Sequence, residues 1–270
     1  MTSETAMTPA GLSHTPLEPF GRVVEATAGG ADLRDIPYRT LSDWTEQARV
    51  LVLRGFPLLS KPDLIRFCEG WGEILRWDFG EVLDLVIHDS PKNYLFTRGD
   101  VPFHWDGAFA AATPRYFMFQ CLDASPGGGG ETVFCATTMV WRDAGMRTRR
   151  QWEQITVGYA TEKVEHYGGQ VTAPLVARHP HSGLPVLRFA EPLDPADYLN
   201  PLFLQVDGLP EEEVPGFLTD LAQRLHQPAY CYAHEWRAGD IVIADNHALV
   251  HGRNPFTGEA TRHLQRIQIV

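Results

Sequence analysis

The sequence predicts a mainly β protein with helices flanking one core, and three observations carry that expectation. Twenty-four glycines and 20 prolines are spread along 270 residues, and both residue types interrupt helices and punctuate turns. From Asp84 onward, short apolar runs alternate with turn residues at the spacing of a sandwich or barrel of many strands. Segments with helical periodicity are few and lie early and late in the chain, which suits one β core with helices packed beside it.

In chain order, residues 1–19 are rich in Ser, Thr and Pro and are expected to form a flexible arm ahead of a single domain over residues 20–270. With no basic stretch leading into an apolar one, the arm does not read as a secretion signal. Residues 40–49 read as a short helix entering the buried strand 50–53, which stops at Arg54-Gly55-Phe56-Pro57. A second helix follows, with Ser60 as its cap, Pro62 in its first turn, an apolar stripe of Leu64, Ile65, Phe67, Cys68 and Trp71, and a stop at Gly72. Strands are expected at 85–87, 94–96, 116–120, 132–135, 155–159 and 186–189. The four glycines 127–130 form a turn and lack the G-x-x-x-x-G-K-[ST] pattern of a phosphate loop. An amphipathic helix over 214–225 precedes three last β segments at 230–236, 241–244 and 261–270.

Composition excludes several classes of function. Thirty-four acidic against 23 basic residues leave a net charge of −11, which disfavours a general nucleic-acid or anionic-membrane surface while permitting a local basic pocket. The longest aliphatic run, residues 50–53, falls far below the roughly 20 residues of a membrane span. Cys68, Cys121, Cys135 and Cys231 are too dispersed for a C-x-x-C zinc pair or a secreted disulfide framework. A cytoplasmic protein is expected.

The most informative local sequence is Val101-Pro-Phe-His-Trp-Asp-Gly107. On an extended strand, the two-residue spacing of His104 and Asp106 projects both side chains from one face. An imidazole and a carboxylate so placed are two members of a 2-His-1-carboxylate facial triad, the common site for iron(II) with positions left open. H-x-D alone also fits a buried histidine hydrogen-bonded to a nearby aspartate. His251, after the turn at Asp245-Asn246 and beside Gly252, is a candidate third ligand. Downstream, Arg262, Leu264, Arg266 and Gln268 share one face of an alternating strand, and the two arginines are about 13 Å apart along it. Each guanidinium can clamp a carboxylate with its planar fork; a solvated basic edge is the plainer alternative.

The order His-x-Asp, Thr after a Gly-rich turn, distal His, then Arg-x-x-x-Arg resembles the TauD/TfdA family of iron(II)- and 2-oxoglutarate-dependent dioxygenases. The resemblance implies a double-stranded β-helix (jelly-roll) core, with His104, Asp106 and His251 as Fe(II) ligands. It assigns the arginine eleven residues past His251, Arg262, to the far carboxylate of 2-oxoglutarate, helped by Thr132, and places Arg266 nearer an acidic group of the substrate. Because Asp106 is present, no position is left for the halide of a halogenase.

Leu53-Arg-Gly-Phe56, Phe103-His-Trp-Asp-Gly107, Ala173-Pro-Leu-Val-Ala-Arg-His-Pro180, Leu187-Arg-Phe-Ala-Glu-Pro192, Ile243-Ala-Asp-Asn246 and His251-Gly-Arg253 resemble the PvcB-like branch. Members of that branch oxidise isonitrile (isocyano) amino acids made by a partner isonitrile synthase. The resemblance implies a small carboxylate substrate, an isocyano derivative of an aromatic amino acid, with O₂ as co-substrate and with desaturation, oxidative decarboxylation or hydroxylation as outcome. Such a substrate wants an apolar, partly aromatic pocket and a carboxylate anchor. Phe103, Trp105 and Phe109 are the aromatic candidates, although alternation turns Phe103 and Trp105 away from the metal. Arg266 is the first candidate anchor and Arg188 the second. A hydroxylase of a free amino acid is the nearest rival reading, followed by a zinc hydrolase and a non-catalytic jelly-roll binding module.

Overall fold

The structure is a computed structural model that describes residues 11–27, 30–164 and 167–270. The first half runs β1 (Leu12–Pro16), β2 (Arg22–Ala26), α1 (Tyr38–Ala48), β3 (Val50–Arg54), α2 (Lys61–Trp71), β4 (Leu83–Leu85), β5 (Val101–His104), β6 (Tyr116–Ala124) and β7 (Thr132–Ala136). The second runs α3 (Thr137–Asp143), α4 (Met146–Trp152), β8 (Thr156–Val164), β9 (Tyr167–Pro174), β10 (Val176–Arg178), β11 (Pro185–Leu187), β12 (Phe203–Asp207), α5 (Val214–Leu225), β13 (Cys231–His234), β14 (Ile241–Asp245), β15 (Leu249–Arg253) and β16 (Arg262–Ile269).

Two sheets make the core. The larger has the order β1-β2-β3-β14-β6-β16-β4 and the smaller β13-β7-β15-β5. Phe117, Phe119, Val242, Ala244 and Leu264 of the larger sheet pack with Phe134, Ala136 and Leu249 of the smaller in one buried cluster, the two-layer arrangement of a double-stranded β-helix. Strand alternation turns Tyr116, Met118, Ile267 and Ile269 the other way, against Leu41 and Trp44 of α1 and Leu64 and Phe67 of α2. Behind the smaller sheet, Phe103, Cys135 and Val250 pack with Val140 and Trp141 of α3 and Leu221 and Leu225 of α5.

The expected helices α1, α2 and α5 form, with Ser60 accepting from the Asp63 amide at the start of α2. Several expectations need correction. Tyr94–Phe96 is a 3₁₀ turn begun by the Asn93 side chain, not a strand: its apolar residues fill the core without extended backbone. The strand expected at 85–87 ends at Leu85, where pairing with β16 stops. The arm expected over 1–19 is too long, because Leu12–Pro16 pairs with β2; residues 1–10 lie outside the described residues. Helix α3 has no helical signal in the sequence, because Thr137-Thr-Met-Val-Trp141, rich in β-branched residues, continues the apolar run of β7. Among the described residues, no helix is long and apolar enough to cross a membrane.

Candidate metal centre and co-substrate pocket

His104 ends β5, an edge strand, and His251 lies directly opposite it on β15. The register shifts there: Arg253 faces Val101, so two steps along β15 span three along β5. This bulge contains Pro102, whose missing N–H suits an unpaired edge position. Gly252 makes the approach of the strands feasible, since a Cβ there would stand 2.4 Å from the Val101 carbonyl oxygen. Asp106 follows in a turn that Gly107 completes at φ +84°, and a Cβ at Gly107 would meet Pro114 at 2.4 Å.

These elements bring one donor atom from each of His104, Asp106 and His251 within 4.8 Å of one another. Nδ1 of His104 donates to the Pro102 carbonyl at 3.0 Å, which leaves its Nε2 lone pair aimed at the group, 3.7 Å from Asp106 Oδ1. His251 Nε2 is 3.8 Å from the same oxygen. Burial pushes the His104 imidazole down, and burial together with the neighbouring His104 pushes His251 down to about 3. Burial alone would raise Asp106, but Arg266 and the two imidazoles outweigh it and hold the carboxyl below its ordinary range. Two neutral imidazoles and a carboxylate, gathered on one side of a shared point, are the donor set of a facial triad and fit a divalent iron.

Asp106 is held from three directions. Arg266 donates to its Oδ1 at 3.0 Å and Gln268 to its Oδ2 at 2.5 Å. Its backbone is clamped by the fully buried Asn246, whose Oδ1 accepts from the Asp106 N–H at 2.9 Å and whose Nδ2 donates to the Asp106 and Pro114 carbonyls at 2.9 and 2.8 Å. Asp245 holds the Asn246 turn by accepting from the His247 amide at 3.0 Å and from His179 at 2.8 Å.

A cavity runs from the triad along β16. It is lined by His104, His251, Thr132, Arg262, Leu264 and Arg266, among others. The buried Arg262 donates to the Gly130 carbonyl and lies near Trp236 and Phe256, with ring centroids at 5.9 and 5.5 Å. Its Nε has no partner, and no carboxylate among the described residues pairs with it. Burial, aided by the charge of Arg253, brings it down to about 9, so it remains a cation at neutral pH. Thr132 accepts from Trp236 Nε1 at 3.0 Å, which leaves its hydroxyl proton available for a second partner. A buried cation and a hydroxyl donor at one end of a cavity, with the triad at the other, fit a dicarboxylate such as 2-oxoglutarate.

A second cavity opens on the far side of Arg266, lined by Trp77, Trp105, Asp106, Phe109, Arg266 and Gln268, among others. Trp105 and Phe109 are thus brought beside the metal corner, with Trp105 edge-on to Tyr159 at 5.3 Å. Phe103 is not: it stacks on His226 at 4.3 Å behind the smaller sheet, as strand alternation requires. Arg188 is not either, because its guanidinium donates to the Asn246 carbonyl at 3.2 Å and to His247 Nδ1. Asn246, Gln268, Trp77 and Trp236 escaped sequence reasoning. For Gln268 a signal existed, since it shares the strand face of Arg262 and Arg266.

Fold and donor set together are those of an iron-dependent jelly-roll oxygenase. The model of the taurine catabolism dioxygenase TauD, TfdA family, matches residues 13–268, and the chain belongs to that family. At 49% identity it resembles the 3-((Z)-2-isocyanoethenyl)-1H-indole synthase of Fischerella ambigua, over 97% of this chain and 96% of that one. At 36% it resembles the tyrosine isonitrile desaturase of Pseudomonas aeruginosa, over 93% and 87%. The crystal structure of PvcB from Pseudomonas aeruginosa superposes with a TM-score of 0.81 at 32% identity, covering 98% of this chain and 94% of that one. PvcB is described as an Fe, α-ketoglutarate dependent oxygenase from an isonitrile synthetic pathway.

Proposed function

We propose that this protein is an Fe(II)- and 2-oxoglutarate-dependent oxygenase that converts an isocyano derivative of an aromatic amino acid, tryptophan first, to a vinyl isonitrile with loss of CO₂. The observation that carries the reading is the pairing of the His104–Asp106–His251 triad with a buried cation in the adjoining cavity, Arg262, that has no carboxylate partner among the described residues. Iron(II) held by the triad, with O₂ and 2-oxoglutarate, supplies the oxidising chemistry. Arg262 and Thr132 bind the far carboxylate of the co-substrate and fix its direction in the cavity. Arg266, at the junction of both cavities, holds Asp106 through Nη1 and orients the carboxylate of the substrate with its remaining guanidinium donors, while Trp105 and Phe109 receive its ring and exclude water. Oxidation at the carbon beside the ring, followed by departure of CO₂, yields the alkene; the 49%-identical relative supports this outcome over simple hydroxylation.

The class of enzyme that must supply such a substrate is an isonitrile synthase, and the four free cysteines suit work in the reducing cytoplasm. The test is incubation with Fe(II), 2-oxoglutarate, O₂ and the isocyano derivatives of tryptophan and tyrosine, read by product mass. Loss of H₂ plus CO₂ is expected. Loss of H₂ alone means desaturation, gain of one oxygen means hydroxylation, and turnover of neither substrate overturns the substrate assignment.

A further inference from the structure

Asp106 has two carboxylate oxygens with different duties. Oδ1 accepts from Arg266 Nη1 at 3.0 Å and faces both imidazoles, at 3.7 and 3.8 Å; a carboxylate oxygen has a second lone pair to offer, so Oδ1 is the atom placed for a metal. Oδ2 is occupied by Gln268 Nε2 at 2.5 Å. A glutamine amide can present either its oxygen or its nitrogen to a neighbour, and presenting the oxygen to a carboxylate is repulsive. Something must therefore set which end of Gln268 faces Asp106. Trp77 does so: its indole N–H, which only donates, reaches Gln268 Oε1 at 2.7 Å. Both residues are held by backbone pairing. The Leu75 amide donates to the Gln268 carbonyl at 2.9 Å, Ile74 bridges Ile269, and Trp77 closes a turn onto Gly80 at 3.1 and 2.9 Å. Gln268 is buried, at 3% exposure, so an unmatched amide there is costly.

We propose that Trp77 and Gln268 are positioning residues acting as one relay: the indole N–H orients the amide, and the amide holds Asp106 Oδ2 so that Oδ1 alone is offered to the metal. The inference rests on the metal-centre reading above. It also gives the wall of the aromatic cavity a second role, since the Trp77 ring lines the same space as Trp105 and Phe109.

The relay is tested on the metal-free protein by calorimetric titration with Co(II) under argon, with the visible absorption of the bound Co(II) recorded in parallel. Trp77→Phe keeps the ring and removes the N–H; Gln268→Leu removes the amide. Each is expected to weaken Co(II) binding by about 10-fold or more and to alter the Co(II) absorption, a change that loss of packing alone does not produce. Because both act through one contact, the double variant is expected to bind about as weakly as either single one, and Trp77→His, which retains a ring N–H, to recover part of the affinity. Thermal melts confirm that the variants are folded; should Trp77→Phe not fold, Gln268→Leu and Trp77→His carry the same comparison. Wild-type protein that takes up no Co(II) overturns the metal-centre reading and the relay with it. Wild-type binding with unchanged affinity and absorption in the variants, or effects of the two substitutions that multiply, overturns the relay alone.

Discussion

Arg262 and Arg266 stand four residues apart on one face of β16, line one cavity, and are both buried, at 7% and 8% exposure. Their surroundings are opposite. Arg266 is neutralised within the protein by Asp106 at 3.0 Å, whereas Arg262 has, among the described residues, only a carbonyl and two aromatic faces, with its Nε unpartnered. An isolated buried charge is expensive unless an opposite charge reaches it. The contrast identifies the Arg262 end as the part of the cavity that lacks an anion and the Arg266 end as the part built to hold a metal carboxylate in place.

The largest expected effect comes from removing the shared carboxylate. Asp106→Ala deletes a ligand and strands Arg266, so metal uptake measured by elemental analysis and turnover measured by product mass are both expected to vanish. The arginines themselves sharpen the comparison. Arg266→Gln leaves a buried carboxylate without its cation and is expected to cost the metal-free protein about 3–5 kcal/mol in urea unfolding. Arg262→Gln removes an unpaired cation and is expected to leave that stability unchanged or raised, while lowering 2-oxoglutarate affinity about 100-fold by calorimetry. Equal stability losses in the two variants break the comparison.

Smaller effects follow from the supports. Asn246→Ala unclamps the Asp106 backbone and is expected to lower metal affinity or kcat about 10-fold. His247, beside the same clamp, is pushed down to about 4, first by burial and then by Arg188. Its folded value lies below its unfolded one, so below pH 6.5 the unfolded chain binds the extra proton. Stability present above that pH is thus lost as pH falls from about 6.5 to 4. Melting temperatures across that range should decline, and less steeply in His247→Gln. Phe103→Leu, far from either arginine, is expected to cost only a kcal/mol or so, on the order of a conservative core change, with metal affinity unaltered.

Much of the site was legible because its signals are local. The two-residue spacing of His104 and Asp106 and the four-residue spacing of Arg262 and Arg266 each become a shared face once the backbone is extended. The same alternation correctly turned Phe103 away from the metal, although it placed Trp105 with it. Trp105 lies past the end of β5, where the chain turns and alternation no longer applies. Arg188 was legible only as a residue of a recurring segment; that its guanidinium serves the Asn246–His247 turn follows from a contact 58 residues away in sequence.

The sequence by itself determined the β core, the flanking helices α1, α2 and α5, the His104–Asp106 pair and the arginine strand face, because periodicity and short spacing act through neighbouring residues; His251 joined them only through the family resemblance. Only the tertiary structure decided which arginine is already paired, which aromatics reach the metal corner, and that Asn246, Gln268 and Trp77 brace Asp106. Those facts depend on strands brought together across the chain, 140 residues apart for Asn246 and Asp106 and 191 for Trp77 and Gln268. No local pattern encodes a hydrogen bond at such a separation; the packing of two sheets creates it.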